Sequence, residues 1–298
     1  MAPMNGCSTV NLAAAAHEAE IFPSIVPASK NFYDKLNFSN SSSDIEFLVK
    51  EFYKLTDSKN LLLQLAKIHF KNNDLVKFLL DWKPSHIYYM KPNPFYTSDE
   101  EENLNSINDE DINDNITNLL KNTKIVTNIK LDACKKISPY DAYIITGNNK
   151  AGLCGNLNLE EYVVKQKNLE PKFPIIASGG IYCSSQIKNL LNLGASSVAI
   201  GTMFAASKES DLSEDAKNKI INSSYSEIKK FEHSNQNVLL IKETKHPEIP
   251  IDPNSTYSLY NGVYGNLSKG HIPIGPGVDY INQILPIKEI VRMLVEDL

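Results

Sequence analysis

The sequence predicts an α/β protein of the (β/α)8 barrel class, the TIM barrel, on the basis of three observations. Short apolar runs with the length of buried strands recur along the first 201 residues. Amphipathic stretches with a helical period separate them, so strands and helices alternate as in parallel βα units. The chain has 298 residues and 42% of them are hydrophobic, which is enough to bury the core of one barrel.

The apolar runs give eight candidate strands, at residues 1–4, 23–26, 61–65, 86–90, 124–128, 142–146, 175–178 and 197–201. Between them, residues 44–55 read DIEFLVKEFYKL, with apolar side chains on one helical face. Residues 184–194 read SSQIKNLLNLG, a helix that we expect to end at Gly194. We therefore expect residues 1–202 to form the barrel.

The alternation stops after residue 202. Residues 204–231 have a helical pattern, residues 243–279 are loop-like, and residues 285–298 read LPIKEIVRMLVEDL, an amphipathic helix. We expect residues 203–279 to form a small, mainly helical appended subdomain, and residues 280–298 to supply a last helix that packs back on the barrel. Residues 97–115 are acidic and amide-rich without glycine, which predicts a solvated surface insertion rather than a calcium loop.

Charge and composition exclude several classes of partner. The net charge is −5 and no basic stripe is present, so we expect no nucleic-acid partner. No apolar run approaches the roughly 20 residues that cross a bilayer, and the start lacks the basic segment of a signal peptide. The cysteines at 7, 134, 154 and 183 and the six histidines have no metal-site spacing, which indicates reduced thiols in a cytoplasmic protein without a metal. A homodimer is a possible oligomeric state that the sequence does not decide.

Residues 174–204, PIIASGGIYCSSQIKNLLNLGASSVAIGTMF, carry the strongest functional signal. One buried strand ends in Gly179 and Gly180, and the next ends in Gly201 and Thr202, where a short helix begins. Glycines let a ligand approach the backbone N–H groups, and barrels often hold a phosphate in the loops after strands 7 and 8. A single glycine pair would merely end a strand, but two pairs on consecutive strands predict a phosphate site.

These residues resemble the nitronate monooxygenases, formerly called 2-nitropropane dioxygenases, which are FMN-dependent barrels. Three further segments resemble the family in the same order: APMNGCSTVNLAAAA at 2–16, DAYIITGNNKAGLCG at 141–155 and IPIGPGVDYINQILPIKEIV at 272–291. The resemblance implies a flavin oxidoreductase that oxidises alkyl nitronates with molecular oxygen. The family's first strand starts several residues before its A-P-M, so strand 1 is either short here or begins upstream of this sequence.

The resemblance also implies a cofactor site built from the ends of several strands. The phosphate-binding residues would be Gly179, Gly180, Ala199, Ile200, Gly201 and Thr202. The residues at the flavin ring and its approach would be Pro3, Met4, Asn5, Gln64, Thr146 and Ala151. Of these, Gln64 stands where the family has an asparagine, and Thr146 stands where it has a glutamine.

The departures from the family cluster on the reactive side. Leu153 occupies the position of the catalytic histidine, Asn149 that of a glutamate, and Pro276 that of a glutamine in the closing loop. Leucine neither accepts a proton nor carries charge, and general-base help is worth about 10²–10⁴-fold. We therefore expect neutral nitroalkanes to react very poorly and anionic nitronates, which need no proton removed, to be preferred.

Other residues could take over part of the lost role. His271 precedes the closing loop and is a candidate base, against the simpler interpretation of a surface histidine. Lys150 is a candidate for a positive charge that binds an anionic substrate, and the simpler interpretation is that it is a solvent-facing lysine. Tyr182 is better explained by packing, and Cys154 has no histidine beside it to activate it.

Two alternatives to the oxidoreductase stay open. A barrel that binds flavin without catalysis, or binds none, would explain why the substitutions cluster at the reactive side. Another phosphate-binding barrel, such as a flavin-dependent enoyl reductase, would share the glycine pairs.

Overall fold

The architecture centres on one parallel sheet. The computed structural model describes residues 1–4, 7–27, 42–90, 119, 121–128, 140–233, 236–241 and 272–298. Seven parallel strands are hydrogen-bonded in chain order, except that the sixth strand of the chain belongs to a second sheet. The seven are β1 (Ser24–Ile25), β2 (Leu62–Ala66), β3 (His86–Met90), β4 (Lys124–Asn128), β5 (Ala142–Thr146), β7 (Ile175–Ser178) and β8 (Ser197–Ala199).

Helices follow most of these strands, as the alternation predicts. They are α1 (Val10–Glu18), α2 (Ser42–Thr56), α3 (Asn73–Trp82), α4 (Leu159–Leu169), α5 (Ser184–Asn192), α6 (Thr202–Ala205), α7 (Glu214–Ile221) and α8 (Ile287–Val295). Asn72 and Asn158 cap α3 and α4 by accepting backbone N–H hydrogen bonds. Gly194 follows α5 with φ of 104°, the left-handed conformation expected at its end.

Both faces of the sheet are buried. Because successive side chains of a strand point to opposite faces, Leu63, Ile87 and Ile125 face the helices. Leu62 and Val126 face the other side, where they form a separate apolar cluster with buried residues of β3 and β5. This arrangement, apolar on both faces, is typical of parallel sheets covered by helices.

The segment at residues 1–4 differs from the prediction, because it is not a strand. The Ala2 N–H donates to the Ile200 carbonyl oxygen at 2.9 Å, and the Ala2 carbonyl oxygen accepts from Ser8 Oγ at 3.2 Å. Pro3 has no N–H to continue a ladder. The segment therefore lies beside the end of β8 without regular pairing. The predicted strand at 197–201 is also shorter, since Gly201 turns away with φ of −116° and ψ of −70°.

The second sheet was not predicted. It contains β6 (Gly152–Cys154), β9 (Ile228–His233) and β10 (Gln236–Ile241), all antiparallel, with β10 in the middle. The expectation of a mainly helical segment at 203–279 is thus wrong in part, since helix α7 is followed by a β-hairpin. Residues 242–271 and the acidic stretch 97–115 lie outside the described residues.

The last helix of the chain lies against the main apolar core. Ile287, Ile290 and Leu294 of α8 are buried in the same core as residues of α1 and α5. Glu209 fixes the start of α8, because its carboxylate accepts from the Ile287 N–H at 3.0 Å. In the described part of the chain, no helix is long and apolar enough to cross a membrane.

Candidate functional site

The carboxyl ends of β5, β7 and β8 meet at one edge of the sheet. Thr146 pairs with Ser178, and Ser178 pairs with Ala199. The loops that follow these three residues therefore start side by side. This edge is where open and closed parallel sheets place their ligands.

The loop after β7 has a conformation that requires glycine. Gly179 has φ of 110° and Gly180 has φ of 76°. A Cβ atom added at Gly179 would lie 2.9 Å from Lys150 Cβ, and one at Gly180 would lie 2.9 Å from Asn149 Cβ. The loop after β5 is therefore packed directly on the glycine pair.

Gln186 of α5 holds this loop in shape. Its Oε1 accepts from the Tyr182 N–H at 2.9 Å, and its Nε2 donates to the Gly180 carbonyl oxygen at 3.2 Å. Among the described residues, the N–H groups of Gly179 and Gly180 donate to no protein acceptor. Both glycines are half-buried, so these two N–H groups remain available to an anion. Gln186 is not among the residues predicted from the sequence, where its position in the first turn after the glycine pair is the only signal.

The loop after β8 is tied to the closing segment near the end of the chain. Thr202 Oγ1 accepts from the Gly275 N–H at 3.1 Å. A Cβ atom at Gly275 would lie 3.2 Å from the Asn149 carbonyl oxygen, so Gly275 also touches the loop after β5. A hydroxyl has one hydrogen to donate besides the lone pairs that accept, so Thr202 keeps a donor for a ligand.

The N-terminal segment reaches the same edge. A Cβ atom at Gly201 would lie 3.1 Å from Met4 Sδ and 3.6 Å from Ala2 Cβ. Met4 therefore lies close to the loop after β8.

The loop after β5 is tightly closed. The Gly155 N–H donates to the Gly147 carbonyl oxygen at 3.1 Å, and a Cβ atom at Gly155 would lie 1.9 Å from the Thr146 carbonyl oxygen. The sequence predicted only a loop here, but its far side forms β6. In β6, Leu153 pairs with Val238 of β10.

The family comparison decides the identity of this arrangement. A model of the nitronate monooxygenase family matches residues 115–297, which include all three loops and the closing segment. The chain belongs to the nitronate monooxygenase family. Members of this family are flavin-dependent oxidoreductases.

Solved structures agree with this family in fold. A structure of FabK from Thermotoga maritima is 23% identical, with a TM-score of 0.74, and covers 99% of this chain and 91% of its own. Nitroalkane oxidase from Streptomyces ansochromogenes is 16% identical, with a TM-score of 0.75, and covers 100% and 94%. The enoyl reductase domain of MlnA from Bacillus amyloliquefaciens is 11% identical, with a TM-score of 0.65 and coverage of 94% and 87%. A comparison with curated protein sequences finds no match.

Within this nitronate monooxygenase fold, the remaining expected site residues differ in the face of the sheet to which their side chains point and in how far they are buried. Gln64, Thr146 and Ala199 share a sheet face with the inner apolar cluster by the alternation of their strands. Gln64 and Ala199 are buried there, whereas Thr146 is half-buried. Ile200 faces the helical core instead, so only its backbone can serve the site. Pro3 and Ala151 are half-buried.

Two expected residues, Asn5 and His271, lie outside the described part of the chain. Tyr182 packs as expected: its ring stacks on Tyr280 with centroids 4.3 Å apart, and its hydrogen bond with Tyr280 raises the pKa of Tyr182. This pair joins the loop after β7 to the closing segment.

An apolar cavity of about 600 Å³ lies along the inner face of the sheet. Its lining includes Leu62, Val126 and Ile144 of the inner apolar cluster and the expected site residues Pro3, Ala199 and Ile200, but not Gly179, Gly180, Gly201 or Thr202. Burial, together with the charge of Lys124, lowers the pKa of His86. Leu62 and His86 begin their strands whereas Ala199 ends β8, so the cavity extends from the opposite end of the sheet to the residues just before Gly201.

Proposed function

We propose that the protein is an FMN-dependent oxidoreductase that oxidises alkyl nitronates with molecular oxygen. The proposal depends most on the loops that carry Gly179, Gly180 and Thr202, which follow neighbouring strands and offer two backbone N–H groups and a hydroxyl. Such a set of donors suits a phosphate monoester. Membership of the nitronate monooxygenase family supports FMN as the molecule that carries that phosphate.

The described residues fit this cofactor. Glycines at 179 and 180 let the loop after β5 pack directly on them, and their N–H groups, which donate to no acceptor among the described residues, suit phosphate oxygens. Gln64 and Thr146, on the inner face of the sheet, carry polar groups suited to the edge of a flavin ring. Met4 and Pro3 would lie against the ring from the side of the N-terminal segment.

The proposal includes a complete barrel. In it, residues 1–4 occupy the place between β8 and β1, supported by the hydrogen bond from Ala2 to Ile200 and one from Val26 N–H to the Ser8 carbonyl oxygen at 3.0 Å. Residues 1–202 then form the barrel, residues 203–279 an appended unit, and residues 280–298 the packing helix.

The proposed choice of substrate follows from the side chains that the loop after β5 carries. When bound, the flavin supplies the acceptor for substrate electrons and the reaction with oxygen. Leu153 supplies neither a base nor a charge, and Asn149 supplies no carboxylate. A nitronate is already deprotonated, so a substrate of this class needs no proton acceptor from the chain. We propose nitronate anions, and not neutral nitroalkanes, as the substrates.

A second candidate is a flavin-binding barrel without catalysis. The observation that favours it is the loss of both the histidine and the glutamate from the same loop, at Leu153 and Asn149. The two candidates share the cofactor and differ in turnover.

Anaerobic reduction distinguishes them. The FMN-loaded protein is mixed under argon with propionate 3-nitronate, or with nitroethane kept neutral, and the flavin absorbance near the visible maximum is followed. The oxidoreductase is expected to bleach with the nitronate and to stay yellow with neutral nitroethane. A protein that stays yellow with both supports the non-catalytic candidate. Equal bleaching rates would contradict the role assigned to Leu153.

A further inference from the structure

Lys150 stands in the loop after β5, at a position where the family pattern has alanine and where its backbone rests on the glycine pair. A Cβ atom at Gly179 would lie 2.9 Å from Lys150 Cβ and 3.2 Å from both Lys150 Cα and N. The lysine side chain therefore starts beside the two unoccupied N–H donors of Gly179 and Gly180.

The ammonium group of Lys150 has no counter-ion in the described part of the chain. Among the described residues it takes part in no ion pair and no hydrogen bond. The loop from Thr146 to Gly155 contains no aspartate or glutamate, since Asn149 stands where the family has a glutamate. A half-buried cation without a partner is costly, because desolvation disfavours its charge.

The environment of Lys150 disfavours its charged form. Burial lowers the pKa of Lys150, and among the described residues the opposing electrostatic influence comes from Cys154. An anion bound beside Gly179 would remove the penalty by supplying the missing charge.

We propose that Lys150 is a phosphate-binding residue whose ammonium group pairs with the phosphate monoester of the cofactor. This inference rests on the proposed function and extends it, because it assigns a charged side chain to a cradle otherwise made of backbone N–H groups and one hydroxyl. Lys150 then selects for the phosphorylated flavin over the dephosphorylated one. The lysine acts as a point charge on a flexible stem, so it can reach an anion lying over the neighbouring glycines.

The test compares FMN with riboflavin, which lacks the phosphate. Apo-protein is titrated with each flavin, and binding is read from the quenching of flavin fluorescence. The variants are Lys150→Met, Lys150→Arg and, as a control, Lys172→Met, an exposed lysine before β7 at the other end of that strand. Thermal melting of each apo-variant checks the fold.

The proposal expects Lys150→Met to weaken FMN binding about 10- to 100-fold, the usual range for a hydrogen bond to a charged group. Riboflavin binding should change less than about twofold, and Lys150→Arg should keep most of the preference for FMN because the charge remains. Lys172→Met should match the wild type with both flavins.

Three results would overturn the proposal in distinguishable ways. Equal weakening with FMN and riboflavin would place Lys150 at the ring or in the framework. Unchanged FMN binding in Lys150→Met would show that Lys150 does not bind the phosphate, although the flavin site itself would still be supported. If the wild-type protein binds neither flavin, this result contradicts the proposed function itself and therefore also the role of Lys150.

Discussion

The Thr202 hydroxyl and the Gly275 N–H, 73 residues apart in the chain, are joined by a hydrogen bond of 3.1 Å. This bond ties the loop after β8 to the closing segment, and Gly275 in turn touches the loop after β5. The candidate site is therefore held from three directions. Its shape depends on a contact between the start of α6, just after β8, and a segment far downstream.

Removing the acceptor at Thr202 should loosen this contact. We expect Thr202→Val to leave the N–H of buried Gly275 without its partner and to cost about 1 kcal/mol of the free energy of unfolding. FMN affinity should fall as well, since the variant has no hydroxyl to donate. Thermal melting and flavin titration measure the two effects. Thr202→Ser keeps the hydroxyl and should keep most of the stability and most of the FMN affinity. Equal behaviour of the serine and valine variants would contradict the role given to the Thr202 hydroxyl.

The glycine at 180 should be needed for cofactor binding and not only for the fold. Gly180→Ala puts a side chain at φ of 76° and within 2.9 Å of Asn149 Cβ, so the loop must shift. Gly194→Ala, at φ of 104° after α5, is the matched control, since it carries a similar backbone cost of about 1–2 kcal/mol away from the site. Both variants should melt earlier than the wild type, but only Gly180→Ala should lose FMN. FMN loss in both would show that general destabilisation is the cause.

Restoring the family histidine should widen the substrate range. We expect Leu153→His to raise turnover of neutral nitroethane by on the order of 10²-fold, because a base is again present. Turnover of propionate 3-nitronate should change far less. Asn156→His, which adds an exposed histidine to the same loop, serves as the control. If the two histidine variants oxidise nitroethane equally, position 153 has no special role.

The buried thiol of Cys7 should make the protein lose stability at alkaline pH. Burial, aided by the charge of Asp211, raises the pKa of Cys7 from 9.0 to about 12. Between these values the unfolded chain loses a proton that the folded chain keeps, so the free energy of unfolding falls as pH rises through this window. The loss is at most about 1.4 kcal/mol per pH unit.

Urea unfolding at several pH values between 9 and 12 measures this dependence. Cys7→Ala should show a shallower decline than the wild type, whatever its absolute stability. Cys183→Ala, which removes a half-buried thiol at the start of α5, should keep the wild-type slope. Parallel slopes in all three proteins would show that Cys7 does not contribute.

Much of the parallel sheet could be predicted from the sequence. The strands at 86–90, 124–128, 142–146 and 175–178 have the predicted bounds, because each is a short apolar run whose limits are set by local residues. The paired β6, β9 and β10 could not be predicted, since Leu153 finds its partner Val238 more than 80 residues later. No local pattern encodes such pairing.

Some features of the candidate site could likewise be predicted from the sequence, and others could not. The pair Gly179 and Gly180 could be predicted as a loop feature because left-handed backbone selects glycine directly. Gln186, and the contacts that Lys150 and Gly275 make, follow from how separate loops meet at one edge. The composition of each loop alone does not specify which side chains of another loop it touches.

The visible spectrum of the purified protein, before and after incubation with FMN, tests the central claim most directly. A flavin site at residues 179–180 and 201–202 predicts a yellow protein, or a colourless one that takes up added FMN and keeps its absorbance after gel filtration. A folded protein that is colourless and retains no FMN after incubation would contradict the flavin site and the oxidoreductase with it.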